Sequence, residues 1–194
     1  MDRDYDALPI RELGTGAGYC RPTQVQAAKV SMDSPALEVM TDLARATPAT
    51  IRPQAPLAGA NQFMITRAVR LLLVVDEREA ILGVITATDL LGERPMQVAS
   101  ARGLRRDELS VADVMTPAAR AEVIALADVE GSRVGHVLET LRRAGRQHAL
   151  VVDGENMVRG IFSISQIARQ LGVALPAGGE VARTFSEIEA ALAR

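Results

Sequence analysis

The sequence predicts an α/β (α+β) fold of two similar β-α-β-β-α units packed together, and three observations carry that prediction. Val39-Met40-Thr41 returns as Val114-Met115-Thr116, 75 residues on. Val74-Val75-Asp76 returns as Val151-Val152-Asp153, and Gly83 as Gly160, each 77 residues on. Three landmarks in one order at nearly constant spacing mark an internal repeat. One unit of about 55–60 residues is marginal as an independent core, so two copies pack together.

Each element follows from local signals. Ser34-Pro35 predicts a helix start, with Ser as N-cap and Pro at the first helical position. Ser110 with Asp113 offers a capping-box start in the second copy. Short β-prone pieces follow at Ala49-Thr50-Ile51 and at 122–126. An amphipathic helix comes next. Val134, Val137, Leu138 and Leu141 fall at i, i+3, i+4 and i+7, Ser132 can cap that helix and Gly145 can end it. Leu57, Ala60 and Met64 take the equivalent places in the first copy, after Pro56. His136 reads as a mid-helix surface residue. The continuous apolar runs 71–75 and 149–152 read as buried strands, separated by polar turns from second strands at 81–85 and 157–162. Thr86 and Ser163 then open the last helix of each copy.

These elements divide the chain into a flexible lead-in (1–33), unit 1 (34–92), a connector (93–109), unit 2 (110–172) and a tail (173–194). The connector's Arg102, Arg105, Arg106, Asp107 and Glu108 read as a mixed-sign solvated stretch. Gly14-Thr15-Gly16-Ala17-Gly18 lacks the strand and helix that would frame a phosphate loop. In the tail, Pro176 to Gly179 breaks the chain, and Ser186 with Glu189 predicts a short capped helix from Ser186 to Ala193.

Composition narrows the function. A net charge of −2 at 24% charged residues gives no general attraction to nucleic acid or an anionic membrane. With no Trp and only Phe63, Phe162, Phe185, Tyr5 and Tyr19, all scattered, a base-stacking platform is not indicated. Cys20 is the single cysteine, so no internal disulfide forms and a cytoplasmic setting fits. No apolar segment approaches membrane-spanning length. Two histidines and one distant cysteine make no metal site, and no nucleophile–base set or P-loop appears, so catalysis is not expected.

The phrase Gly83-Val84-Ile85-Thr86-Ala87-Thr88-Asp89 recurs as Gly160-Ile161-Phe162-Ser163-Ile164-Ser165-Gln166. As structure, Thr86-x-x-Asp89 and Ser163-x-x-Gln166 are both capping boxes. As chemistry, a hydroxyl at a helix start can meet a phosphate or sugar oxygen, and a carboxylate three residues on can accept from both hydroxyls of a ribose. Gln offers one carbonyl acceptor and no charge, so it is the weaker clamp.

With the repeat and the Val-Val-Asp landmarks, this pattern resembles tandem CBS domains, the pair called a Bateman module, over residues 35–172. The resemblance implies two β-α-β-β-α units related by a pseudo-twofold, with clefts that take adenosine-containing ligands such as AMP, ADP, ATP or S-adenosylmethionine. It implies a first site in which Asp89 holds ribose hydroxyls, Thr86 contacts ribose or phosphate, Thr50 and Ile51 lie near adenine, and Arg70, Leu71 and Leu72 line the cleft. In the second copy Ser163, Gln166, Ala125, Gln147 and His148 take the matching places. Arg142, Arg143 and Arg146, at the end of the second amphipathic helix, are candidates to reach a phosphate. Leu73 and Leu150 stand where the family often has Pro. The function implied is a stand-alone regulatory module, a homodimer, whose ligand-dependent signal is read by an effector protein; no cofactor is required. The alternative is a ligand-free dimerisation or scaffold module that binds a protein partner.

Overall fold

In the computed structural model, which describes residues 30–173 and 181–192, the two apolar runs become the central strands of two four-stranded sheets. In chain order the strands are β1 (Thr41–Asp42), β2 (Thr50–Ile51), β3 (Leu71–Val75), β4 (Ile81–Thr86), β5 (Thr116–Pro117), β6 (Val123–Ala125), β7 (His148–Val152) and β8 (Val158–Ser163). The helices are α1 (Leu57–Arg67), α2 (Ala87–Leu91), α3 (Arg94–Arg102), α4 (Val111–Val114), α5 (Leu126–Glu130), α6 (Val134–Ala144), α7 (Ile164–Gln170) and α8 (Val181–Leu192).

β3 is apolar throughout because both of its faces are covered. Leu72 and Val74 point into the first unit's core with Leu57, Ala60, Met64 and Ile85. Leu71, Leu73 and Val75 point the other way, against Leu150 and flanking Ile161 and Val158 of the second unit. A strand buried on both sides has no place for polar alternation. The second unit has its own core, in which Val137, Leu138 and Leu141 of α6 meet Val151, Phe162 and Ile167.

The sheets are not closed by their own units. Strand order is β2-β3-β4-β5 in one sheet and β1-β8-β7-β6 in the other. Thus β1, from the first copy, pairs antiparallel with β8, and β5, from the second, pairs with β4. The exchange carries the preceding turns with it: Ala36, Val39 and Met40 are buried in the second unit's core, and Val111 and Val114 in the first. The repeated Val-Met-Thr is this crossing segment.

The crossing explains the repeated glycine. A Cβ on Gly83 would run into the Thr116 carbonyl and the Pro117 backbone, and one on Gly160 into the Met40 side chain. Neither glycine has positive φ, so what each supplies is room rather than conformational freedom. Gly145, in contrast, ends α6 at φ 62, where Ala68 ends α1 at φ 52.

Several local expectations are corrected. Ser34 is not an N-cap: its hydroxyl takes the Ser31 N–H, while Pro35 precedes a single 3-10 turn, Ala36–Val39, whose chain is already committed to the crossing. Ser132 does not cap α6, since its hydroxyl donates to the Asp128 carbonyl, closing the preceding helix. His136 lies in the first turn of α6, not its middle, and its Nδ1 accepts from the Arg133 N–H at 3.0 Å. The stretch 93–109 is not merely solvated: it contains α3, with Pro95, Ala99 and Leu109 buried. Its charges do pair at the surface, Arg105 with Asp107 and Arg102 with Asp113. Ser186 falls inside α8 rather than at its start, because nothing from Val181 onward breaks the helix; Phe185 and Ile188 bury its inner face in the second core. Residues 1–29, with Cys20 and the Gly14–Gly18 run, lie outside the described residues, as do 174–180, with the expected break at Pro176 to Gly179, and 193–194.

Candidate functional site

Strand β4 delivers Thr86 to the N-cap of α2, and the capping box predicted there forms in full. The Thr86 hydroxyl accepts from the Asp89 N–H at 3.2 Å, and Asp89 Oδ2 accepts from the Thr86 N–H at 2.9 Å and from the Thr86 hydroxyl at 2.7 Å. Asp89 Oδ1 accepts from Arg94 Nη1 at 3.2 Å. Arg94 in turn donates to the Met115 carbonyl at 2.9 Å and the Thr116 hydroxyl at 3.3 Å. Asp89 is therefore tied, through Arg94, to the crossing strand.

An ionised carboxylate offers about four acceptor positions. Three donors already face Asp89, two on Oδ2 and one on Oδ1, so capacity remains on Oδ1. Two ribose hydroxyls at once require Arg94 or the Thr86 hydroxyl to give way.

Asp89 opens onto a cavity of ≈ 350 Å³ between the two units, near the lower end of the range typical of small-molecule sites. Unit 1 supplies Leu71, Val84, Thr86, Thr88 and Asp89; the crossing strand supplies Thr116. The far wall is Ala121 and Glu122, ahead of β6, then Ala144 to His148 and Leu150. Ala144, Arg146 and His148 also border a smaller, mostly apolar cavity of ≈ 110 Å³.

The cleft is thus composite, which regroups the expected site residues. Thr86, Asp89 and Leu71 come together with Gln147 and His148, which had been placed beside Gln166. Thr50 and Ile51 are not among the lining residues: β2 lies at the opposite edge of its sheet from β5. Leu72 is fully buried on the other face of β3. Arg70 accepts the Ala87 N–H through its carbonyl, and its Nε is buried without a partner. Ala125 ends β6, paired with Val152.

Of the three candidate phosphate ligands, Arg146 lines the cavity. Arg142 and Arg143 both bond Glu139 on the outer face of α6, and those two guanidinium groups hold the Glu139 carboxyl down at about 2. His148 is drawn down to about 4, chiefly by burial and then by the charge of Arg70, with Asp89 opposing. It therefore faces the cavity as a neutral imidazole at neutral pH.

The second copy of the phrase is built differently. Gln166 does not complete a capping box with Ser163; its Oε1 accepts from the Thr41 hydroxyl at 2.9 Å, across the exchange. The Ser163 hydroxyl instead lies 3.2 Å from that of Ser165. A Gln side chain long enough to reach the crossing strand has a partner better than its own helix end.

Thr88, Thr116, Glu122 and Arg94 were missed by sequence reasoning. Thr116 belongs to the repeated Val-Met-Thr, and that recurrence was a usable signal. Nothing local marks Arg94 or Glu122. Among the described residues no group of three or more His, Cys, Asp or Glu could hold a metal, and no helix is long and apolar enough to cross a membrane.

The family model for the CBS domain matches twice, over residues 30–95 and 111–172. A conserved protein from Pyrococcus horikoshii is similar over 77% of this chain and 100% of its own, at 21% identity and a TM-score of 0.55. The CBS domain pair of protein MJ0100, solved in complex with 5-methylthioadenosine and S-adenosyl-L-methionine, is similar over 72% of this chain and 97% of its own, at 21% identity and a TM-score of 0.51. CBSX2 in complex with AMP is similar over 70% and 94%, at 20% identity and a TM-score of 0.51. A search of curated proteins returned no match. Two matched domains covering most of the sequence, folded as a reciprocally exchanged pair around a shared cleft, place this chain in the CBS domain family.

Proposed function

We propose that this chain is a regulatory module that binds an adenine nucleotide or another adenosyl ligand in the cleft containing Asp89. One observation carries the reading: a carboxylate with remaining acceptor capacity, beside a threonine hydroxyl, faces a cavity walled by both units. That acceptor takes one ribose hydroxyl as it stands, and a second as Arg94 or the Thr86 hydroxyl gives way. Neighbours of the same fold hold AMP in one case and S-adenosyl-L-methionine with 5-methylthioadenosine in another, which supports the ligand class. The role is regulatory rather than catalytic. A ligand touching both walls favours one packing of the two units over another, and its leverage equals its differential affinity for the two. The signal passes to an effector protein, with the module acting as a homodimer.

The test is thermal unfolding with adenosine, AMP, ATP and S-adenosylmethionine, and guanosine counterparts as controls. A ligand at about 100 times its Kd stabilises the folded state by about 2.7 kcal/mol, a Tm rise of roughly 5–11 °C for a chain of this size. Asp89→Asn should remove that rise. Well-folded protein stripped of nucleotide that responds to none of them would refute the reading. The scaffold alternative draws on a different observation, the exposed Leu91 and Met96 side by side on α2 and α3, at 66% and 60% exposure.

A further inference from the structure

Among the described residues one guanidinium, that of Arg146, lines the Asp89 cavity, and it is already engaged. Arg146 Nε lies 2.9 Å from Glu122 Oε2, and both residues border the cavity. Their placement follows from the sheet. Glu122 precedes β6 and Arg146 precedes β7, and these strands run parallel and adjacent, so both side chains emerge at the same end. The pair is also the boundary between the larger cavity and the small apolar one, which both residues line. The first copy carries Val69 at the place corresponding to Arg146, an aliphatic residue that cannot form such a pair.

Resting on the adenosyl reading above, we propose that Glu122 is a specificity-determining residue of this cavity, one that selects against phosphate on the ligand. A nucleoside moiety can sit on Asp89 without disturbing the pair. A phosphate that draws on the guanidinium lining this cavity must take Arg146 from a carboxylate that also repels it. Both side chains are substantially exposed, 44% for Arg146 and 71% for Glu122, so solvent and salt screen the competition and its effect is a few-fold rather than a few orders of magnitude.

Titration calorimetry with AMP and with adenosine on the full chain tests this. Glu122→Gln should tighten AMP roughly two- to fivefold and leave adenosine unchanged. Arg146→Gln should weaken AMP, and the double variant should show none of the gain, because Glu122 acts through Arg146. The gain should also shrink at about 0.5 M salt, where exposed charges are screened within a few ångström. An equal change for both ligands, no change for AMP, or a gain that persists in the Arg146→Gln background would overturn the role of Glu122 while adenosine binding kept the adenosyl reading intact. Failure of the parent protein to bind either ligand would overturn both.

Discussion

The two glycines of the repeated phrase face different neighbours, and that difference sets unequal costs for the same substitution. Adding a methyl to Gly83 places it against the Thr116 carbonyl and the Pro117 Cα, which are main chain. Strand β5 cannot retreat easily: Arg94 grips the Met115 carbonyl, and Val111 and Val114 just before it are fully buried. For a methyl added to Gly160 the nearest atoms are Sδ, Cγ and Cε of Met40, a flexible side chain. Overpacking costs about 1–3 kcal/mol. Gly83→Ala belongs at the upper end, with about 1 kcal/mol more for each β4–β5 hydrogen bond that opens. The loss of chain freedom in the unfolded state returns about 0.4–1 kcal/mol in either variant. The net expectation is a loss of about 2–3 kcal/mol for Gly83→Ala and about 1 kcal/mol or less for Gly160→Ala. Urea unfolding of both variants and the parent, at matched m-values, measures this directly. Equal losses, or a larger one for Gly160→Ala, would refute the argument that the crossing main chain is what each unit makes room for.

Other perturbations probe separate parts of the molecule. Ala68 holds φ 52 at the end of α1, so Ala68→Gly should stabilise by about 0.4–1 kcal/mol, and a lower urea midpoint would count against it. Thr41→Val removes the hydroxyl that Gln166 accepts from and should cost about 1 kcal/mol; an unchanged midpoint would mean that bond does not hold the crossing strand. His148 is pulled down to about 4 from 6.5, so between those values the unfolded chain binds the proton that the folded chain refuses. Stability is therefore full above about pH 6.5 and falls as pH drops toward 4, by about 2–3 kcal/mol. His148→Leu should flatten this slope between pH 4.5 and 7.5, and parallel profiles for parent and variant would exclude it as the source.

Much of the fold was legible because its signals are local. The apolar runs at 71–75 and 149–152 and the spacing of Val134, Val137, Leu138 and Leu141 gave central strands and a core helix where they stand. The fold family followed from the repeat and from the Val-Val-Asp landmarks. What stayed hidden is non-local. Strands of two residues are too short for any periodicity, and the partners of Thr41–Asp42 lie more than a hundred residues away, at Ile161 and Gly160. Without the exchange, sequence reasoning puts each site inside one copy, which is why Gln147 and His148 were grouped with Gln166 rather than with Asp89. Ser132 and Ser34 misled for a related reason: a hydroxyl near a helix start has several backbone groups within reach, and tertiary position decides among them.

The change from Asp89 to Gln166 is best understood together with a second change that accompanies it. The residue five positions on is Arg94 in the first copy and Leu171 in the second. In the first unit a short carboxylate reaches the crossing strand through an arginine that bonds Thr116. In the second unit a side chain one methylene longer bonds Thr41 directly and needs no intermediary. Both arrangements fasten the exchanged strand, so either would satisfy folding alone. They differ in what is left over. Gln166 spends acceptor capacity on the tie and carries no charge, whereas Asp89 delegates the tie to Arg94 and keeps an anionic acceptor turned toward the cavity. A purely structural role would not require the costlier pair, two charges held at a partly buried position. That the charge stands on one side alone supports the proposed ligand site at Asp89 over one at Gln166.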